Sequence, residues 1–243
     1  MEAHIELFAN CGEGFHSNDA RGTTETLTPK EHLPAEPVTP LVKSRGEELG
    51  LRTEIITGLQ SSLALWSLNL DSELVFSGDA GDTQASRPSR RYGVEWNNHY
   101  IPAPWLFFDL DLALSRARYT EIDPVGQSIP NGIEQVASFG VTIANLGRWS
   151  SEFQVRYFGP RPLIEDNSVR SKSTTLAYLD VGYRLSHNTK LQLDVFNLFN
   201  RAASDLDYFY ASRLQGEPVD GVGDVHFHPV EPRTVRLRLT QMF

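Results

Sequence analysis

"PWLFFDLDLALSRARY", residues 104–119, decides the fold. Leu106, Phe108, Leu110, Leu112 and Leu114 occupy every second position, and Phe107, Asp109, Asp111, Ala113 and Ser115 fill the places between. A helix would scatter the leucines and both aspartates around its circumference. A strand gathers the leucines on one face and the aspartates on the other, because successive strand side chains point to opposite sides.

The same alternation recurs along the chain. "RRYGVEWNNHY" sets Tyr92, Val94, Trp96, Asn98 and Tyr100 against Arg91, Gly93, Glu95, Asn97 and His99. "LAYLDVGYRL" sets Ala177, Leu179, Val181, Tyr183 and Leu185 against Tyr178, Asp180, Gly182 and Arg184. "SSLALWSLNL", "KLQLDVF" and "TVRLRLTQMF" read alike, the last ending on Phe243. There are about ten such segments of roughly 8–16 residues, against the ~9–11 that a membrane-spanning strand needs. The fold class is all-β and antiparallel.

The connections alternate in length. "TGLQS" (57–61), "IPAP" (101–104), "NLGRW" (145–149) and "SHNT" (186–189) are short. "SGDAGDTQASRPSR" (77–90), "TEIDPVGQSIPNGIEQ" (120–135) and "GPRPLIEDNSVRSKS" (159–173) are long, and two more, from His16 to Glu48 and from Arg201 to Pro232, read as about thirty residues each. Strict alternation in a meander places every long loop at one end, as in outer-membrane barrels.

The 243 residues carry a formal charge of -9, which argues against nucleic acid as a partner. A single cysteine, Cys11, precludes an internal disulfide and reads as an unpaired small apolar residue facing lipid or a neighbouring strand. No apolar run reaches the ~18 residues of a membrane helix, a test that strands escape. The start "MEAHIELFAN" lacks the basic, apolar and small-residue regions of a signal peptide. Three features place lipid against the apolar face: strands longer than the ~5–6 residues usual in soluble sheets, the loop asymmetry, and a final strand closing on Phe243. Tyr92, Tyr100, Trp105 and Tyr183 fall toward strand ends, where an aromatic girdle belongs.

The C-terminal third, "LDVGYRLSHNTKLQLDVFNLFNRAASDLDYFYASRLQGEPVDGVGDVHFHPVEPRTVRLRLTQMF", resembles the end of TonB-dependent outer-membrane receptors. The residues that carry the resemblance are Asn197, Leu198, Phe199 and Asn200, then 205–218, 226–233 and the strand to Phe243. "ELFANCGEGFHSNDARG" (6–22) and "RYFGPRPLIEDNSVRS" (156–171) resemble upstream segments of the same family. The resemblance implies the last ten or so strands of a barrel of about 22, in a family that carries a plug domain and takes up scarce nutrients such as ferric siderophores with energy from the TonB complex. It implies the cell outer membrane, with lipid and lipopolysaccharide as surroundings. It also implies contact with the barrel-assembly machinery through the strand ending at Phe243, and with TonB only through a plug this chain lacks. Residues 1–243 are therefore expected to be a C-terminal barrel region without plug or signal peptide. Two other classes compete: a self-closed ten-stranded outer-membrane enzyme or adhesin, and a soluble β-barrel binding a small apolar ligand.

No catalytic, metal or cofactor residues are assigned. His226 and His228, with Asp224 and Glu231 beside them, have the i, i+2 spacing of two ligands on one strand face, but no third ligand sits at recognisable spacing. Their plainer reading is loop packing held by Pro229 and Pro232. Asp109 and Asp111 read as partners of lumen arginines such as Arg184 or Arg156 rather than as a catalytic pair. Ser204, Asp205 and Asp207 carry no nucleophile signature. Arg21, Arg45, Arg87, Arg90, Arg161, Arg170 and Arg213 suit an anionic ligand or lipopolysaccharide phosphate, against solvated loop charge as the plainer reading. Tyr208, Phe209 and Tyr210 suit stacking on an aromatic ligand, against packing within their own loop.

Overall fold

Period-two alternation is realised in the computed structural model as antiparallel strands; the structure describes residues 4–18, 23–27, 32–34, 38–72, 74–77, 82–85 and 87–243. The strands are β1 (Ile5–Ser17), β2 (Leu41–Thr53), β3 (Leu59–Leu70), β4 (Leu74–Ser77), β5 (Asp82–Ala85), β6 (Ser89–Ala103), β7 (Leu106–Tyr119), β8 (Gln135–Leu146), β9 (Trp149–Phe158), β10 (Thr174–Arg184), β11 (Thr189–Phe196), β12 (Ser204–Ser212), β13 (Val222–Pro229) and β14 (Thr234–Gln241). Ten of them form one sheet in the order β1-β2-β3-β6-β7-β8-β9-β10-β11-β14. The other four pair as two hairpins, β4–β5 and β12–β13, set inside long connections. Within this sheet β1 and β14 each have a partner on one side only, so the sheet ends on two open edges.

Register joins the apolar faces into one surface. Leu7, Leu51, Leu63, Trp96 and Leu112 stand opposite one another across five strands. Phe153, Leu179, Val195 and Val235 do the same across β9, β10, β11 and β14. Among the described residues no second layer covers this face: Leu7 is 77% exposed and Leu237 67%. Buried apolar residues are correspondingly few, and the buried cluster Ala117, Tyr119 and Ile129 lies where a long connection folds over β7, not under the sheet. A water-soluble sheet of this size would bury its apolar face against a second layer. Lipid chains are the layer that suits this one.

The opposite face is polar and hydrogen-bonded within itself. His99 meets Asp109 at 2.5 Å, Gln192 donates to Asp180 at 2.7 Å, and Arg238 meets Asp194 at 3.2 Å. The expected pairing of Asp109 and Asp111 with Arg156 or Arg184 does not occur. Arg156 lies over the Tyr178 ring, and Arg184 donates to Asn145 Oδ1 at 2.8 Å. The register explains it: Asp111 faces Ser138, which faces Arg156, so two interstrand steps of about 4.8 Å separate the charges.

Long and short connections alternate as expected, and each long one lies at the same end. Two boundaries differ. β2 begins at Leu41, well before the expected end of the first long connection at Glu48, because Lys43, Arg45 and Glu47 extend the strand on its outward face without apolar alternation. Lys43 bonds Glu13 of β1 at 3.1 Å, so charged rungs continue the sheet beyond the apolar band. The segment from Arg201 to Pro232 holds the β12–β13 hairpin. At the short-turn end Trp149 packs on Tyr183 with ring centroids 4.6 Å apart, and Tyr100 stacks on Phe108 at 6.3 Å. These are rungs of the expected girdle.

An arginine on the apolar face should cost about 2–4 kcal/mol near the bilayer midplane. Leu179→Arg is therefore expected to lower the urea midpoint of the lipid-embedded protein strongly, whereas Ser138→Arg, on the polar face, leaves that midpoint nearly unchanged.

Candidate functional site: the long-loop platform

Chemistry-bearing side chains gather where the long connections meet. Local backbone geometry sets up the meeting. Asn131, Asn167, Asn197 and Asn200 adopt left-handed φ between 48° and 62°, which asparagine tolerates better than most residues. Gly126 has φ 128°, and a Cβ there would lie 2.3 Å from the Glu165 carbonyl oxygen. Only glycine lets the β7–β8 connection cross the β9–β10 connection at this point.

Three arginines bind the crossing together. Arg87, from the connection before β6, bonds Glu165 at 2.5 Å and the Gly126 carbonyl at 2.9 Å, and its guanidinium lies 4.4 Å from the Tyr119 ring centroid. Arg170 bonds Glu134 at 2.5 Å, the Pro160 carbonyl at 2.7 Å and Asn167 Oδ1. Arg161 is the most enclosed. Its backbone N–H donates to Ser171 Oγ at 3.0 Å, Nε donates to Asn131 Oδ1 at 3.0 Å, and Nη2 reaches Asp207 Oδ2 at 3.5 Å. The Arg161 and Asp207 side chains are only 8% and 7% exposed, so each ion depends on the other for its charge partner. Thr174 Oγ1 adds a bond to the Ser204 carbonyl at 2.9 Å. Outside the strands, Asp166 accepts the Ser168 N–H at 2.9 Å, and that backbone donor holds its carboxyl below the usual range.

A second knot lies in Asn197–Leu198–Phe199–Asn200. Asn197 is 3% exposed. Its Nδ2 donates to the carbonyls of Arg201 and Glu231, both at 3.0 Å, and its Oδ1 accepts the Arg201 N–H at 2.9 Å. Asn200 Oδ1 accepts the Arg233 N–H at 2.9 Å, and the Leu198 N–H donates to the Ala177 carbonyl at 2.8 Å. Two side-chain amides thus steer the chain from β11 into the last connection and from that connection into β14. The sequence marked these residues as a family feature. Their bonding was not legible there, because Glu231 is 34 residues from Asn197.

The remaining candidates fall into place around these knots. His226 stacks on Tyr210, centroids 3.9 Å apart, and His228 faces Leu206 across the hairpin. Asp224 takes the Val225 N–H, and Glu231 offers its carbonyl to Asn197. Among the described residues no group of three or more His, Cys, Asp or Glu gathers as a metal site would require. Ser204 and Asp205 contribute backbone carbonyls, and Asp207 is committed to Arg161. Arg213 holds the hairpin tip through the Glu217 carbonyl, and Arg45 pairs with Glu47 on β2. Arg21 lies outside the described residues. Cys11 is exposed on the outward side of β1, opposite Glu47. A cleft of about 660 Å³ opens between residues 170–173, 200–204 and the β13 end, lined by Lys172, Arg201, Phe227 and Pro232 among others.

Comparison with known proteins agrees with this architecture. The family model "TonB dependent receptor-like, beta-barrel" matches residues 4–198. Among solved structures, the ferric-catecholate import receptor Fiu of E. coli K12 superposes with a TM-score of 0.70 at 19% identity, over 98% of this chain and 33% of its own. The copper transporter OprC gives 0.72 at 22%, over 98% and 37%. The ferric yersiniabactin uptake receptor FyuA of Yersinia pestis gives 0.70 at 17%, over 98% and 35%. The chain spans about a third of the length of these receptors.

Three substitutions test the knots. Asn197→Ala strands buried backbone groups and is expected to cost about 2–3 kcal/mol, against about 1 kcal/mol for Asn200→Ala, which gives up one bond; denaturant midpoints rank the pair. Asp207→Ala leaves the Arg161 charge buried and should cost about 3 kcal/mol, with faster hydrogen exchange in 159–173 and in the β12–β13 hairpin but not in β6 or β7.

Proposed function

The chain belongs to the TonB-dependent receptor β-barrel family, and from that premise we propose that it supplies barrel wall and external loops to a receptor for active uptake of a metal-chelate ligand of the siderophore type. It is a segment of an outer-membrane barrel, and the family is one of transport receptors. The observation that carries the proposal is the sheet itself: ten strands with one continuous apolar face, a polar opposite face, every long connection at one end, and two open edges.

The open edges supply the mechanism's first requirement. Backbone groups without partners cost several kcal/mol each in hydrocarbon, so β1 and β14 must be paired when the sheet is in a membrane. Further strands of a larger barrel satisfy both edges at once. The polar face then lines a lumen, and the platform of Arg87, Arg161 and Arg170 faces outward from the cell. Capture of ligand falls to the platform, where the cleft beside Lys172, Arg201 and Phe227 offers cationic and aromatic contacts. Passage falls to the lumen, with its lining of Asp109, Asp180, Gln192 and Arg238. In this reading the chain binds and conducts, and catalyses nothing. Contact with TonB requires a plug, and contact with the assembly machinery runs through β14 toward Phe243.

The competing reading is a barrel closed by β1 against β14. The two separate in one experiment. Cysteines placed at Leu7 and Leu237 are expected not to cross-link when the chain alone is refolded in detergent, and the chain should give no heat-modifiable, protease-resistant band. Efficient cross-linking together with such a band would establish the self-closed barrel and end the receptor-segment reading.

A further inference from the structure

The β12–β13 hairpin is fastened on one side and open on the other. Thr174 and Arg161 hold its β12 side to the platform. On β13 the Val230 N–H bonds the Ala203 carbonyl at 2.9 Å, which fixes the phase of the ladder. Counted from there, His226 and His228 turn their backbone groups toward β12, and Gly223, Val225 and Phe227 turn theirs away. Among the described residues no strand follows β13 on that outer side. The Val225 N–H is met there by the carboxylate of its own neighbour, Asp224, at 2.7 Å. A side chain that covers an edge amide in this way stands in for a strand.

Alternation gives the two faces of β13 different characters. Asp224, His226 and His228 share one face, where His226 stacks on Tyr210. Val225 and Phe227 share the other and line the cleft of about 660 Å³. Phe227 is 59% exposed. Three cations line the same cleft, Arg170, Lys172 and Arg201. Arg170 is committed to Glu134 at 2.5 Å, and the carboxylate in the lining, Asp207, is committed to Arg161 at 3.5 Å. Lys172 and the Arg201 side chain have no hydrogen-bond or carboxylate partner among the described residues. In a chain of formal charge -9, this cleft therefore presents two uncommitted cations beside an exposed aromatic ring and an open strand edge.

We propose that the outer edge of β13 and the adjoining cleft bind an extended acidic peptide, which adds to the hairpin as a third strand. The peptide backbone bonds the outward groups of Val225 and Phe227, and the Asp224 carboxylate gives up the Val225 N–H. Alternate side chains of the peptide then fall on the cleft face, where they set specificity. A carboxylate there meets Lys172 and Arg201. An apolar side chain two residues away, about 7 Å along the strand, meets Phe227. Asp224 stands on the opposite face, so it does not oppose the incoming carboxylate. Such docking needs the hairpin and the rim charges but not uptake of a chelate, so loss of uptake does not bear on it.

The test uses the protein purified from outer membranes in non-ionic detergent, titrated calorimetrically with the acetylated and amidated peptide TVTETVT, whose glutamate and valines share one strand face. Near-ultraviolet circular dichroism verifies that each variant is folded. Lys172→Gln/Arg201→Gln is expected to weaken binding about tenfold, the scale of losing charge-assisted contacts. Arg148→Gln, in the short turn between β8 and β9, leaves it unchanged. TVTKTVT should bind the unaltered protein no better than TVTETVT binds the double variant. Two further peptides carry methyl groups on alternate backbone nitrogens, one in each phase; the phase that blocks the amides facing β13 should bind about tenfold more weakly, since those bonds are lost and the edge stays unpaired. Bound TVTETVT should also slow hydrogen exchange at the Phe227 amide. Absence of saturable binding by TVTETVT overturns the proposal. So does equal binding by the folded double variant, equal binding of TVTKTVT, or full affinity in both methylated phases.

Discussion

Every strand in the ten-stranded sheet answers one constraint: a peptide group inside hydrocarbon needs a partner, because no water is there to supply one. The unbroken ladder from β1 to β14 satisfies this for all but the two outer edges. The side chains then sort themselves around the ladder. Period-two alternation sends Leu106 to Leu114 toward lipid and Asp109 and Asp111 away from it. The near absence of a buried core follows from the same cause, since the apolar surface is covered by the membrane and not by protein. Stability in such a molecule depends on register more than on packing. A slip of one residue between β7 and β8 would carry Asp109 and Asp111 into lipid.

The loops obey the opposite physics. Beyond the apolar band there is water, and the connections hold together by ions and amides rather than by apolar area. Arg87, Arg161 and Arg170 each join segments far apart in the chain, and Asn197 and Asn200 fasten the last connection at both of its ends. The enclosed Arg161–Asp207 pair is the sharpest case. Its 3.5 Å contact is long, yet with both side chains almost fully covered neither ion has water to fall back on. Such a pair adds little net stability over apolar packing, but it penalises every arrangement that separates its members. It therefore selects one placement of the β12–β13 hairpin.

The wall of this fold was legible in the sequence, because Leu106–Leu114 and Ala177–Leu185 display their facing directly. The loop asymmetry was legible for the same reason: what lies between clear strands is counted, not inferred. Where sidedness is not written in apolar residues, the reading faltered. Lys43 pairs with Glu13 across to β1 while Arg45 pairs with Glu47 along β2 itself, so charge and not apolar alternation marks the start of β2, and it was missed. Asp109 was matched to distant arginines because facing alone does not fix which strands are neighbours; His99, directly opposite across one pairing, was the nearer partner. The platform was least legible. Asp207 lies 46 residues from Arg161, and nothing local to either marks the other as its counterpart.

The tethering of the β12–β13 hairpin has a thermodynamic corollary. Arg161 and Thr174 fix its base, Asn197 and Asn200 fix the chain on either side, and Tyr210 stacked on His226 stiffens its middle. Loops usually lose motional freedom when something docks on them, and that loss subtracts from affinity. Here much of the ordering is completed during folding. A visitor to this surface meets an already frozen relief, so shape complementarity translates more fully into residence time, and mismatched visitors find little compliance.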